Sequence, residues 1–229
     1  MRALILAGGK GTRLKKVVSD VPKPLAPVCG KPFLDILLKQ LKEEDVTSVI
    51  LSTGHMAEVI ESRYAKGFEG LSVSFSREKT PLLTGGAIKK AIDKLDSELI
   101  VVLNGDSFVQ LKLKEITKFH QKKGADITVL SVFMQDASRY GLLKLSSDSR
   151  LVRFCEKQKN SQGYINAGVY VFKSDLLRDY REQVFSFEEW LKDNLNTLKV
   201  YAFVCDEDFI DIGIPEDYER AQNFFANKR

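Results

Sequence analysis

The chain has 229 residues, 44% hydrophobic and 29% charged. That is the mix of an ordinary globular protein with a sizeable core. Its formal net charge of +4 is spread along the sequence, with acidic runs such as Glu43-Glu44-Asp45 between the basic ones. This suits a phosphorylated small substrate and excludes the clustered basic face that nucleic acid requires.

In chain order, Ala3 to Ala7 reads as a buried strand, and Phe33 to Leu41 carries apolar residues at helical spacing. Val46 to Ser52 reads as a strand, Ala57 to Tyr64 as a helix and Leu71 to Phe75 as a strand edge. Ala87 to Leu95 is helical, Leu99 to Leu103 a strongly apolar strand, Leu113 to His120 a helix and Ile127 to Phe133 a strand. The alternation predicts an α/β fold, a mostly parallel sheet covered by helices. After Tyr140 the pattern turns mixed or antiparallel, with strands at Leu142–Leu145, Leu151–Phe154 and Ile165–Phe172. Helices are predicted at Phe185 to Leu195 and Pro215 to Phe225, the latter with proline just inside its start. No linker or repeat divides the chain. One domain is expected over residues 1–229, with a nucleotide half over about 1–135 and an acceptor half over about 136–229.

Cys29, Cys155 and Cys205 fit neither a disulfide framework nor a zinc site. A reducing cytoplasm is therefore the expected compartment. The apolar stretch Ala3–Ala7 is too short for a signal peptide or a membrane span, so no membrane partner is expected. Oligomeric state is left open.

The most informative segment is Leu6-Ala7-Gly8-Gly9-Lys10-Gly11-Thr12-Arg13-Leu14, followed by Pro22-Lys23-Pro24-Leu25. A strand running into three glycines offers backbone N–H groups to phosphate oxygens. Arg13 and Lys23 are cations placed to meet the same phosphates. The order is wrong for a P-loop, and Leu14 stands where a dinucleotide fingerprint needs its third glycine, which disfavours a Rossmann dehydrogenase.

These two motifs resemble the signature of the sugar-1-phosphate nucleotidyltransferases, and the resemblance recurs through nearly the whole chain. It implies a Rossmann-like three-layer α/β/α fold of the GT-A-like kind, with a mixed, mostly parallel sheet. It implies that Leu6, Ala7, Gly8, Gly9, Gly11 and Thr12 wrap a nucleoside triphosphate. Arg13 would steady the leaving pyrophosphate and Lys23 would lie against the α-phosphate.

Leu99–Leu103 ends in Asn104-Gly105-Asp106, a carboxylate at the C-terminal end of a buried strand, where open α/β sheets bind ligands. A second carboxylate, Asp211, is flanked by apolar residues, where an unpaired charge is costly. A shared cation explains both. The resemblance assigns Asp106 and Asp211 to Mg²⁺, which takes few carboxylates plus phosphate oxygens and water, and adds Asn104 and Gly105 to the nucleotide site. Thr84-Gly85-Gly86-Ala87 reads as a helix start with Thr84 as cap, and the family uses this stretch for base and ribose. The family pattern has glycine where this chain has Leu83, and threonine where it has Ile214.

In the second half, Tyr140, Gly141, Glu156, Lys157 and Asn166 match the family in order and spacing. The resemblance assigns Lys157 to the acceptor phosphate, and Glu156 and Asn166 to the sugar. His55 and His120 stand isolated, with surface or cap roles expected, and Trp190 reads as core. The residues carry no Gly-x-Ser-x-Gly or Cys/His nucleophile set.

The chemistry expected is in-line attack of a sugar 1-phosphate on the α-phosphorus of a nucleoside triphosphate, with positioning and charge neutralisation as the catalytic means. Among subgroups, the runs Val18 to Val28, Thr84 to Ile88, Leu103 to Ser107 and Arg139 to Gly141 most resemble the D-glycero-α-D-manno-heptose 1-phosphate guanylyltransferases. That implies GTP, a heptose 1-phosphate and a GDP-heptose for surface polysaccharide. Uridylyl-, cytidylyl- or thymidylyl transfer to another sugar remains the alternative, as does a catalytically silent nucleotide-sugar sensor.

Overall fold

The structure is a computed structural model that describes residues 1–14, 17–18, 20–92, 95 and 99–227. In chain order the first elements are β1 (Arg2–Ala7), a 3-10 turn at Lys23–Leu25, β2 (Pro27–Val28), β3 (Lys31–Pro32), α1 (Phe33–Glu43) and β4 (Ser48–Thr53). Next come α2 (Ala57–Tyr64), β5 (Ser72–Arg77), α3 (Leu83–Ile92), β6 (Leu99–Asn104), β7 (Ser107–Val109), α4 (Leu113–Lys123) and β8 (Ile127–Met134). The second part holds β9 (Leu142–Leu145), β10 (Leu151–Cys155), β11 (Gly163–Lys173), α5 (Phe187–Asp193), β12 (Val200–Cys205), β13 (Phe209–Asp211) and α6 (Pro215–Ala226).

Among the described residues, nine strands form one sheet. β5, β4, β1 and β6 lie side by side and parallel. β11 then runs antiparallel to both β6 and β8, and β12 closes that side parallel to β8. The same β11 carries β9, and β9 carries β10. The sheet therefore joins the two halves of the chain through the β6–β11 pairing.

Alternation along the central strands explains the layers. Ala3, Ile5 and Ala7 of β1, with Val101 and Leu103 of β6, enter one core beneath α1, α4 and α6. Leu4, Ile100 and Val102 enter a second core beneath α3 and α5. Strands buried on both faces read as continuous apolar runs, which is why β1 and β6 stand out in the sequence. The three-layer, mostly parallel mixed sheet expected is the one observed.

Several ends and some elements differ from the sequence reading. α3 starts at Leu83, ahead of the predicted Ala87, while Asp93 and Lys94 of the predicted helix lie outside the described residues. Thr84 lies inside that helix and does not cap it. α5 begins at Phe187 because Ser186 caps it, accepting from Glu189 N. Not predicted were β12 at the sheet edge, the β2–β3 hairpin and the β7–β13 ribbon. His120 is buried at 4% exposure, against the surface role expected.

His120 predicts a pH dependence. Its Nδ1 lies 2.9 Å from Thr128 Oγ1. Burial holds its pKa below the usual value, with Asp126 opposing and Lys173 assisting. A histidine whose folded pKa is lowered contributes stability above its unfolded pKa of about 6.5, lost as pH falls through the folded value. Urea midpoints are expected to fall between about pH 7.5 and pH 5, and His120→Gln should flatten that dependence. An equally steep fall in the variant would assign the loss to other groups.

Candidate active site

β1 leaves the sheet at Ala7 and enters the glycine loop. The loop is pinned at its far end by Leu14, buried at 1% exposure, whose N–H donates to Gly11 O at 3.1 Å. Gly11 adopts φ +57°, and a Cβ there would stand 2.8 Å from Lys23 Cβ. Only glycine allows both the turn and that approach. Lys23 opens the 3-10 turn, and the chain just after it is held from the far end of the sequence. Tyr218 of α6 donates its hydroxyl to Pro27 O, Gln222 donates to the same oxygen at 2.7 Å, and Cys29 N donates to Gln222 Oε1 at 2.7 Å.

The β7–β13 ribbon places Asp211 opposite Ser107, and Ile212 N donates to Asp106 O at 2.9 Å. The two predicted carboxylates thus stand together. Burial, and then the charge of Asp106, raise the pKa of Asp211, while Lys23 and the N–H of Gly213 pull it down. Gly213 N donates to Asp211 Oδ1 at 2.5 Å, and Lys23 Nζ donates to Asp106 Oδ2 at 2.5 Å. Two mutually repelling carboxylates with one ammonium between them suit a divalent cation. Among the described residues no three His, Cys, Asp or Glu cluster as a closed metal cage. A cation held here would draw its other oxygens from a ligand, as Mg²⁺ on a phosphate does.

The glycine loop, Lys23 and Asp106 border one cavity of about 730 Å³, and Asp211 lies outside its lining. Its walls include Leu6, Ala7, Gly8, Gly9, Gly11, Thr12, Arg13, Lys23, Thr84, Asn104, Gly105 and Asp106, all predicted, with Gly213 beside Asp211. Gly85 and Gly86 lie just behind. A Cβ on Gly85 would stand 2.2 Å from Phe185 Cε2, and one on Gly86 2.2 Å from Gln183 O, so these glycines let residues 183–185 cross the helix start. The sequence reading missed Lys10, Glu78 and Lys79 on the same wall, and His55 lines it too. Gly8 and Gly11 each abut a different residue of its wall. A Cβ on Gly8 would stand 2.7 Å from Glu78 Oε1, whereas Gly11 abuts Lys23. The wall beside Gly8 therefore offers a carboxylate, and that beside Gly11 a cation bonded to Asp106. Asn104 Oδ1 is buried among these walls without a hydrogen-bond partner.

Tyr140, Gly141, Glu156, Lys157 and Asn166 lie outside this cavity's lining and gather beside it. Pairing of Leu142 with Cys155 and with Ile165 sets Gly141, Glu156 and Asn166 at one end of three neighbouring strands. Glu156 and Lys157 are exposed, and Glu156 is paired with Lys192 at 3.4 Å. Burial, then the charges of Asp211 and Asp217, push the Tyr140 hydroxyl up to about 12, so Tyr140 adjoins the carboxylate pair.

The family profile for nucleotidyl transferases matches residues 2–228. The chain belongs to that family. It is 42% identical, over 97% of each chain, to a D-glycero-α-D-manno-heptose 1-phosphate guanylyltransferase of Aneurinibacillus thermoaerophilus. It is 41% identical to one of Campylobacter jejuni, over 95% of this chain and 97% of that one. The crystal structure of HddC from Yersinia pseudotuberculosis superposes with a TM-score of 0.89 at 37% identity, covering 98% of this chain and 99% of that one. The same protein has been crystallised with GMP-PN.

Within this nucleotidyltransferase a chain of hydrogen bonds runs from the cavity wall to Asn166. Thr84 accepts from Phe187 N at 2.8 Å and donates to Glu188 Oε2 at 2.7 Å. Tyr170 donates to Glu188 Oε1 at 3.1 Å and accepts from Asn166 Nδ2 at 2.7 Å. The Thr84 hydroxyl is thus committed within the protein. Leu83, just before it, takes φ 60° in the glycine position of the family pattern, at a cost of about 1–2 kcal/mol. Ile214, in the family's threonine position, precedes α6 without a side-chain cap, and Pro215, Glu216 and Asp217 in the first turn offset the loss.

Glu188→Ala strands the Tyr170, Thr84 and Ser186 hydroxyls. It is expected to lower the unfolding free energy by about 1–3 kcal/mol in urea titrations. Glu188→Gln, which keeps an acceptor, should lose less, and equal losses would show that the network is not held through this side chain.

Proposed function

We propose that the protein transfers GMP from GTP to D-glycero-α-D-manno-heptose 1-phosphate, releasing pyrophosphate and forming a GDP-heptose of the kind used for surface polysaccharide. The observation that carries the chemistry is the convergence of the glycine loop, Arg13, Lys23 and Asp106 on one cavity, with Asp211 against Asp106. The full-length likeness to the two guanylyltransferases supports the choice of substrates.

GTP lies with its phosphates along Gly8–Arg13. An ionised oxygen of the sugar phosphate attacks the α-phosphorus, the bond to the bridging oxygen breaks, and pyrophosphate leaves carrying that electron pair. The nucleophile is already ionised at neutral pH, so no general base is needed. Lys23 offsets charge at the α-phosphate, while Lys10 and Arg13 hold the departing pyrophosphate. These cations act by position and charge. Asp106 and Asp211 hold Mg²⁺, which supplies charge neutralisation at the phosphates. Tyr140, Gly141, Glu156, Lys157 and Asn166 take the heptose phosphate on the other side of the carboxylates, Lys157 on its phosphate.

Glu78 supports guanine. It lies on the cavity wall against Gly8, with Oε1 accepting from Ser52 at 3.3 Å and Oε2 from Leu82 N at 2.9 Å. Each oxygen keeps a free lone pair. An ionised carboxylate only accepts, and guanine alone among the common bases presents two adjacent donors, N1–H and the 2-amino group.

Pyrophosphate release should require Mg²⁺ and be fastest with GTP and the heptose 1-phosphate, across a panel of triphosphates and sugar phosphates. No release with any pair would favour the silent sensor. Asp106→Asn is expected to cut turnover by about 10²–10³ with the fold intact, and near-normal turnover would remove Asp106 from the metal site.

Glu78→Gln should raise the KM for GTP by about 10- to 100-fold, the worth of a two-point base-edge pair. An unchanged preference for GTP over ATP in that variant would place base recognition elsewhere.

A further inference from the structure

Leu83 stands in a backbone conformation that side chains disfavour, φ 60°. It is held there from both sides. Before it, Leu82 N donates to Glu78 Oε2 at 2.9 Å, and Leu82 O accepts from Phe185 N at 3.2 Å. After it, the Thr84 hydroxyl is bonded to Phe187 N and to Glu188, and Gly85 N donates to Phe185 O at 2.9 Å. Neither neighbour is free to turn and relieve it.

The fold gains little from this side chain. Leu83 is 56% exposed, belongs to neither core, and borders the cavity. A branched aliphatic residue in a glycine-type conformation, left out of the packing, is strain kept at a functional wall. Its place along that wall is set by its neighbour, since Leu82 N is bonded to Glu78, the carboxylate beside Gly8. The apolar side chain and the base-reading carboxylate therefore share one stretch of the cavity wall.

We infer that Leu83 is a nucleotide-contact residue: its side chain packs on the face of the purine whose edge Glu78 reads, and shields that edge from water. This rests on the reading of the cavity as a GTP site. Glycine at this position would relax the backbone and leave the base face open. The leucine gives up some stability of the free protein in exchange for apolar contact that exists only when a base is bound. The contact favours purines, which present the larger face.

The test pairs calorimetric binding of a non-hydrolysable GTP analogue with thermal unfolding of the nucleotide-free protein, for wild type, Leu83→Gly and Leu83→Ala. Both variants should bind about tenfold more weakly, the loss expected for uncovering part of a leucine. Leu83→Gly should melt about 2–4 °C higher, while Leu83→Ala, which keeps a Cβ in the same conformation, should not. The KM for the sugar phosphate should not change in either. Variants that bind within about twofold of a binding wild type would overturn the role of Leu83 and leave the GTP site standing. A wild type that binds no nucleotide would overturn the GTP reading itself.

Discussion

Two carboxylates that the backbone forces together set the terms for everything around them. Asp106 follows β6, and the antiparallel β7–β13 ribbon with the Ile212 N–H bond to Asp106 O leaves Asp211 no other place to be. Their repulsion is visible in the raised pKa of Asp211, where Asp106 is the largest cause after burial. Lys23 relieves one of the two charges. The remaining negative charge sits beside a cavity whose wall also carries the cations Lys10 and Arg13. Such a site suits a bound divalent cation together with a polyanion better than either alone, because the cation reconciles the carboxylates with the phosphates.

Asn166 is tied to this arrangement through hydrogen bonds. Glu188 gathers the hydroxyls of Thr84, Tyr170 and Ser186, and Tyr170 passes the connection to Asn166. Thr84 belongs to the helix start beside the cavity and Asn166 to the strand that pairs the halves. Buried Tyr170 has no water to fall back on, so its hydroxyl is committed to these partners.

Much of this was legible in the sequence because it is written in local signals. Buried parallel strands produce unbroken apolar runs, and β1 and β6 were found that way. The glycines before Arg13 and the strand-end Asp106 each sit in a recognisable local context, and the resemblance to a known family linked them. What stayed hidden depends on contacts between distant residues. β7 and β13 have three residues each and are strands only because they meet. Glu78 closes a strand edge with nothing around it to mark a ligand wall, and its neighbours there, Gly8 and Leu82, come from separate segments. His120 seemed a helix surface residue, and the strand beside it buries it against Thr128. β12 had a fair local signal, Val200-Tyr201-Ala202-Phe203-Val204, rich in β-branched and aromatic residues. The departure at Leu83 was visible as a letter, but only its left-handed backbone shows what the substitution does.

The clasp of α6 on residues 27–29 has a consequence for how the protein comes into being. Ribosomes deliver the glycine loop and Lys23 first, and Asp211, Tyr218 and Gln222 well over a hundred residues later. A growing chain therefore carries the glycine loop long before it possesses either the second carboxylate or the helix that braces the segment behind Lys23. The carboxylate pair is complete only once that ribbon strand has been made, so a chain that stops short of it holds no assembled centre.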